Sequence, residues 1–312
     1  MPSSPAFARP RLLIVGCGDV GMRLLPLLSA HFRVFALTSQ PERRAELRAL
    51  GAVALVADLD RPVTLARLRH LAPWVLHLAP PQPDGELDRR TRHLVAALGK
   101  VERMVYVSTS GVYGDCGGAL VAEHRPVAPR NARARRRVDA ERVLRAWALA
   151  NGAALAILRV PGIYADDRLP LRRLEQGTPA LRMEDDVYTS HVHADDLARI
   201  VLAALLRGRP GRVVHAVDGT RMKMADYFDA VADAFGLARP PRLARAELEQ
   251  VVSPMLLSFM SESRRLDDTR LRRELRVRLR HPDVATTLAR LTSGRVAGSI
   301  GNGGDALQVR AG

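Results

Sequence analysis

The chain has 312 residues, 47% of them hydrophobic and 26% charged, so it can bury a large core and is neither a disordered nor a fibrous polymer. Its formal charge of +15 invites a polyanionic partner, but only Lys100 and Lys223 are lysines. The remaining basic residues are arginines spread over nearly every predicted helix, so solvated helix faces account for most of the charge and no nucleic acid partner is expected. No run approaches the ~20 apolar residues of a membrane span. Cys17 and Cys116 both lie in glycine-rich turns rather than in a disulfide framework, which points to a soluble cytoplasmic protein with reduced thiols and no membrane partner.

Taken in chain order, Leu12 to Val15 is an apolar run that feeds into Gly16-Cys17-Gly18-Asp19-Val20-Gly21, a G-x-G-x-x-G spacing followed by an amphipathic stretch. A strand, a tight glycine turn and a helix start are what dinucleotide binding needs. Gly16 permits the turn, Gly18 lets the backbone approach a pyrophosphate, and Gly21 lets the helix sit close to its strand, while the first N–H groups of the helix face the phosphates. A second strand is expected at Arg33 to Thr38 and a helix at Pro41 to Leu50. A third strand follows at Ala52 to Ala57, a helix at Pro62 to Leu71, a fourth strand at Trp74 to Ala79, and a helix at Glu86 to Leu98. Met104 to Ser108 is a fifth strand, Arg133 to Ala150 a long helix, Ala154 to Val160 a sixth strand and Arg212 to Val217 a seventh. This regular alternation predicts an α/β fold, a Rossmann-type doubly wound parallel sheet with a small, mostly helical C-terminal lobe.

The residues after the second strand read Leu37-Thr38-Ser39-Gln40, with Arg43 and Arg44 following, and no acid stands where NAD-binding chains place one for the ribose. Hydroxyl and guanidinium groups suit a 2′-phosphate, so NADP is favoured over NAD; Arg43 and Arg44 as mere surface charge is the competing reading. Asp58, at the end of the third strand, either accepts from the adenine or caps the helix that begins near Pro62.

Four further segments, in the correct order, resemble the NAD-dependent epimerase/dehydratase family of the extended short-chain dehydrogenase/reductase superfamily. Val75 to Ala79 is similar to its fourth strand, and Val107-Ser108-Thr109-Ser110-Gly111-Val112-Tyr113-Gly114 to its fifth strand and active-site hydroxyl segment. Leu158 to Tyr164, with Pro161, resembles the turn bordering the nicotinamide, and His191-Val192-His193-Ala194-Asp195-Asp196 a helix start. The resemblance spans about residues 11 to 285. It implies a nicotinamide cofactor held by Gly16, Gly18, Asp19, Val20, Gly21, Ser39, Arg43, Asp58, Leu59, Leu78, Ala79, Pro80, Ser108 and Pro161, and it puts the catalytic hydroxyl on Thr109. Relatives of this type often dimerise through two helices of the sheet domain, so the resemblance leaves a homodimer open and the sequence itself gives no basis for an oligomeric state.

One departure decides how the chemistry is read. The positions of the family's Y-x-x-x-K fall on Arg133 and Arg137, and the residues four before Lys100 and Lys223 are Ala96 and Gly219, so the motif is absent from the chain. Arginine stays protonated to about pH 12 and cannot serve as a base near neutrality. Either another group, Tyr113 or Tyr164, supplies the proton, or the protein binds nucleotide without turnover, as a sensor or assembly protein; Arg137 is a candidate to bridge a ribose hydroxyl or a phosphate. With turnover it is an oxidoreductase or epimerase-like enzyme on a small polar or sugar-like substrate, in which Thr109 orients the reactive oxygen. His191 and His193 share one strand face near Asp195 and Asp196, but the helix start explains them, and no metal is expected. The expected organisation is a disordered 1–10, a dinucleotide-binding domain over 11–164, a capping lobe from 165–190 and 218–292 with 191–217 returning to the sheet, and a disordered tail over 293–312.

Overall fold

Leu12, Leu13, Ile14 and Val15 are all fully buried, yet Leu12 and Ile14 belong to one core and Leu13 and Val15 to another, because successive side chains on a strand point to opposite faces. This run is β1 (Arg11–Val15) in the computed structural model, which describes residues 9–301. It is joined by β2 (Arg33–Thr38), β3 (Val53–Val56), β4 (Trp74–His77), β5 (Arg103–Thr109), β6 (Ala154–Val160) and β7 (Arg212–His215). All seven are parallel, in the order β7-β6-β5-β4-β1-β2-β3. The order reverses between β1 and β4, which opens a crevice at the carboxyl ends of the strands, the place where such sheets hold ligands. The fold is the Rossmann-type arrangement expected from the sequence.

Helices cover both faces, as a buried parallel sheet requires. On one side, α1 (Asp19–Leu28) packs through Leu24, Leu25 and Leu28 against the helix Ala194–Arg207. On the same side α2 (Arg44–Ala49), whose Leu47 joins this core, flanks β3, while on the other face α3 (Arg89–Ala97) packs on α4 (Ala132–Asn151). The long α4 starts where the Asn131 side chain accepts from the Ala134 N–H and stops at Gly152, whose φ of 63° is the left-handed cap geometry. Pro62–His70 forms a run of 3₁₀ helix rather than the expected α-helix. Its buried residues are Leu65 and Leu68, three apart, and a three-residue turn stacks them on one line.

A third core, built on Tyr164, Leu174, Tyr227, Phe228, Val231, Leu248 and Val284, lies in the segments that follow β6. Within 218–292, Leu271 and Leu275 pack into the sheet's own core, and Arg265–Leu266 pairs with Leu120–Val121, so this part sits on the sheet. The helix Val284–Gly301, anchored by buried Val284 and Leu288, runs past Ser293, where the disordered tail is expected to begin. Residues 1–8 and 302–312, the rest of the two ends expected to be disordered, lie outside the described residues. Among the described residues no helix is long and apolar enough to cross a membrane.

Candidate functional site

The glycine turn shows why each glycine is there. Gly16 has φ +84°, and a Cβ on it would stand 2.5 Å from the Cα and N of Ala79, the residue that extends β4 alongside β1. Gly18 is the opposite case: a Cβ there would meet nothing within 4 Å, so its backbone faces open space at the first turn of α1. A Cβ on Gly21 would sit 2.9 Å from the Cys17 sulfur, so Gly21 brings α1 close to the turn rather than to the strand. Burial pushes the Cys17 thiol up to about 11, which leaves it protonated and inert.

A cavity of about 350 Å³ opens on this turn. Nine of the expected cofactor residues line it: Gly16, Gly18, Ser39, Arg43, Asp58, Leu59, Leu78, Ala79 and Pro80. Arg43 reaches back from the segment after β2 to donate to the Cys17 carbonyl at 2.7 Å, with Glu46 on its Nε at 2.9 Å. Asp58 lines the cavity while its Oδ1 accepts from the Asp60 N–H at 2.9 Å, a local turn leading into the Pro62–His70 run. Arg90 also lines the cavity, tied to Asp60 and to the Pro80 carbonyl; nothing in the sequence pattern singled it out. Asp19 and Val20 stand apart from the cavity wall. Asp19 pairs with Arg23 and Arg168, and Val20 packs against the sheet core, so only their backbone belongs to the turn. The donor set fits a dinucleotide: an open glycine backbone at a helix start for the diphosphate, and hydroxyl, guanidinium and apolar walls for the adenosine.

A second cavity, of about 490 Å³, lies between the ends of β5 and β6 and the third core. Thr109 and Pro161 line it from the sheet, Tyr164, Tyr188, His191, Tyr227 and Phe228 from the far side, and Arg133, Arg168, Arg173 and Arg264 bring charge. Thr109 accepts from the Gly111 N–H at 3.2 Å through Oγ1, which leaves its own proton for a group in the cavity. Arg133 stands in the first turn of α4 beside it. Glu262, the one acid on this wall, is bonded by Arg264 at 2.8 Å and by Asn131 at 3.3 Å. His191 is buried and its Nδ1 has no hydrogen-bond partner; burial lowers its pKa to about 4, so the ring is neutral.

Three expected site residues are placed elsewhere. Ser108 faces the α4 side of β5, the opposite face from Thr109, and donates to Glu141 at 2.7 Å inside the molecule. Tyr113 turns inward in the short 3₁₀ turn Ser110–Tyr113 and is 1% exposed. Its hydroxyl receives the Arg159 Nη1 donor at 2.7 Å and meets His215 Nε2 at 2.7 Å, so it cannot touch a substrate. Arg137 lines neither cavity: its Nη1 donates to the Val107 carbonyl and the Tyr106 hydroxyl at 2.9 and 3.0 Å. Tyr164 does line the second cavity, and burial raises its pKa well above the ordinary phenol range. His193 heads the helix Ala194–Arg207 by accepting from the Asp195 N–H, with its ring stacked 3.5 Å above His281. His193, Asp195 and His281 bring ligand-type atoms within 4.8 Å of one another, but parallel rings aim their lone pairs in parallel planes, and Arg23 occupies Asp195.

A family model described as NAD(P)H-binding matches residues 16–207. The chain belongs to that family. It is 32% identical over 158 residues to the dTDP-4-dehydrorhamnose reductase of Mycobacterium tuberculosis, in two strains; the match takes in 47% of each protein, so the chain spans about half the length of the curated relatives it matches. Among solved structures it is similar to a conserved protein of unknown function from Silicibacter pomeroyi DSS, with 27% identity, a TM-score of 0.75 and coverage of 92% of this chain and 99% of that one. A double mutant of the Streptomyces venezuelae dTDP-glucose 4,6-dehydratase, solved with NAD, shares the fold with 23% identity, a TM-score of 0.72 and coverage of 91% and 96%. The resemblance to the epimerase/dehydratase group read from the sequence agrees with these matches, and the cofactor is a nicotinamide dinucleotide.

Proposed function

We propose that this protein is an NAD(P)-dependent oxidoreductase acting on a small polar or sugar-like carbonyl compound held in the cavity between β5, β6 and the third core. The observation that carries the reading is Thr109: its oxygen accepts from Gly111, and its proton is left to face a cavity bordered by Pro161. The reductase name of the M. tuberculosis relative supports the reaction class. When bound, the cofactor supplies or accepts the hydride. Thr109 donates to the reacting oxygen and fixes its direction, while the Arg133 guanidinium, in the place of the family's tyrosine, stabilises negative charge that develops on it. Being permanently charged, Arg133 does not itself move the proton, and in this reading the alkoxide left by hydride transfer takes its proton from solvent by way of the Thr109 hydroxyl. NADP is the preferred form in this reading, supported by Arg43 and Ser39 in the turn cavity and by the lack of an acid at the end of β2.

A second reading, a dinucleotide-binding sensor without turnover, is favoured by two observations: Tyr113 is sealed away from both cavities, and arginines stand at both positions of the family's tyrosine and lysine. Following NADPH absorbance against a panel of polar carbonyl compounds separates the two. Steady oxidation that Thr109→Ala abolishes with cofactor affinity unchanged supports the enzyme. Tight cofactor binding with no turnover on any member of the panel supports the sensor.

A further inference from the structure

Gly111 separates two groups that the fold brings together from distant parts of the chain. A Cβ built on it would stand 3.6 Å from Thr109 Oγ1 and 4.0 Å from Arg264 Nη2, so the hydroxyl and the guanidinium flank one small residue on the wall of the second cavity. Arg264 is held where it stands. Its backbone N–H donates to the Tyr188 carbonyl at 3.2 Å, and its Nη1 donates to the Gly114 carbonyl at 2.9 Å and to Glu262 at 2.8 Å. Glu262 is fixed in turn by Asn131, the residue that caps α4, whose Nδ2 donates to it at 3.3 Å. Arg264 Nη2 makes no hydrogen bond to a described residue, and it is not sealed in the protein but keeps access to the cavity.

An arginine that served only to neutralise a carboxylate would do so best through two parallel N–H donors. Here Glu262 and the Gly114 carbonyl both draw on Nη1, which leaves Nη2 as a positioned donor without an acceptor. We infer that Arg264 is a further catalytic residue, whose Nη2 and the Thr109 hydroxyl donate to the same carbonyl oxygen of the substrate. The inference rests on the proposed use of this cavity and deepens it by naming the second donor to the reacting oxygen. As hydride reaches the carbon, a C–H bond forms and the C=O π pair moves onto the oxygen; the alkoxide then takes its proton from solvent by way of Thr109. Arg264 keeps its own protons throughout. A cation fixed before the reaction stabilises the charge that develops on the oxygen far more than it stabilises the neutral carbonyl. Arg133 lines the same cavity but is exposed, so water screens it more, whereas the Arg264 side chain is 15% exposed.

The test uses 4-nitrophenol, whose phenolate oxygen mimics the alkoxide and whose ionisation is read directly by absorbance. The full chain, saturated with reduced dinucleotide so that the glycine turn is occupied, is titrated with the phenol at a series of pH values. The bound phenol is expected to ionise about one pH unit lower on the wild type than on Arg264→Gln. Gly111→Ala is the second variant. Its methyl meets Thr109 and Arg264 at ordinary contact distances, so Tm should hold, yet it fills the space between the two donors and should also remove the shift. Equal ionisation on wild type and Arg264→Gln, or no uptake of the phenol by the wild type, overturns the inference. If Arg264→Gln melts several degrees low, Gly111→Ala decides: a shift lost at unchanged Tm supports the inference and a shift retained overturns it. Where a carbonyl compound is reduced, Arg264→Gln is expected to lower kcat and kcat/KM together by about 100-fold, and a rise in KM alone overturns the assignment. The phenol titration needs no turnover. A shift that depends on Arg264 without any carbonyl reduction leaves the oxyanion site standing and removes the proposed chemistry, whereas carbonyl reduction indifferent to Arg264→Gln does the reverse.

Discussion

Arg159 on β6 and Glu141 on α4 meet through two hydrogen bonds, 2.7 and 3.1 Å long, with both side chains almost wholly buried. Ser108 donates to the same carboxylate, and Arg159 also donates to Tyr113, whose hydroxyl proton goes to His215 Nε2; the Nδ1–H of that ring then serves the Asp267 carbonyl. Every member of the chain is satisfied without a change of charge, so it fixes the end of β5, and with it the direction of Thr109. Removing one partner strands a buried charge. Glu141→Leu is expected to cost about 3–5 kcal/mol. The double variant Glu141→Leu with Arg159→Met should recover a large part of this, because no lone charge remains. Urea unfolding of the four proteins measures the cycle, and equal losses in the single and double variants would contradict the account.

Gly16 and Gly18 stand two residues apart in one motif and predict opposite failures. At Gly16 an added Cβ meets Ala79 backbone at 2.5 Å with φ already +84°, so Gly16→Ala is expected to lower Tm by several degrees before any ligand is considered. At Gly18 the added methyl meets no protein atom within 4 Å, and φ is −80°. Gly18→Ala should therefore leave Tm within about 2 °C of the wild type. Its cofactor affinity should fall, since the methyl takes the space of the diphosphate. Thermal melts paired with fluorescence titration of reduced cofactor separate these effects. A Gly18→Ala protein that melts low or binds normally would show that the turn works differently.

These two cases also indicate how far a sequence can be read. The strand at Ala154–Val160 came out with its observed ends, because an apolar run between a glycine and a proline leaves little choice, and the turn cavity followed from the glycine spacing. Thr109 and Ser108 were both expected to face ligand, yet a strand alternates, and only one of two neighbours can point at the cavity while the other meets Glu141. Tyr113 failed for a related reason: the 3₁₀ turn after β5 rotates its ring beneath the sheet end, and turn geometry leaves no mark in hydrophobic periodicity. Arg173 and Glu262 reach the second cavity from segments far apart in the chain that have no regular period, so only the folded structure brings them to Thr109.

Burial holds three histidines neutral: His77 is lowered to about 3 by desolvation and then by Arg137, His191 to about 4 by desolvation, and His215 to about 4 chiefly by desolvation. In the unfolded chain each titrates near 6.5. The stability they contribute is fully present above pH 6.5 and is lost as pH falls toward 4, because the unfolded state binds protons first. Asp218 acts in the other direction. Desolvation raises it to about 7, so over the same window the folded state holds a proton that the unfolded state has given up. His281, lowered chiefly by desolvation, acts with these rings, and Glu123 and Asp186, raised by desolvation, act with Asp218, so the quantity to isolate is the share of a single ring. Urea unfolding at half-unit steps measures the slope, and His191→Phe should make it shallower by about 1.4 kcal/mol per unit. A slope that His191→Phe leaves unchanged would mean that this ring is solvated.

The cofactor preference turns on Arg43, which has two separable roles. Its Nη1 supports the turn through the Cys17 carbonyl, and its guanidinium forms part of the wall beside Ser39. Loss of turn support weakens NADH and NADPH alike, because both carry the same diphosphate. Loss of a 2′-phosphate partner weakens NADPH alone. The ratio of the two affinities is therefore the informative quantity, and either affinity by itself is not. Arg43→Ala is expected to lower the NADPH to NADH affinity ratio by about tenfold, the value of one charge-assisted contact at roughly 1.4 kcal/mol. Fluorescence titration of wild type and variant with both reduced cofactors gives the ratio directly. A ratio that stays constant while both affinities drop assigns Arg43 to the turn, and the 2′-phosphate must then find its partner elsewhere, with Arg90 on the opposite side of the cavity the next to be replaced.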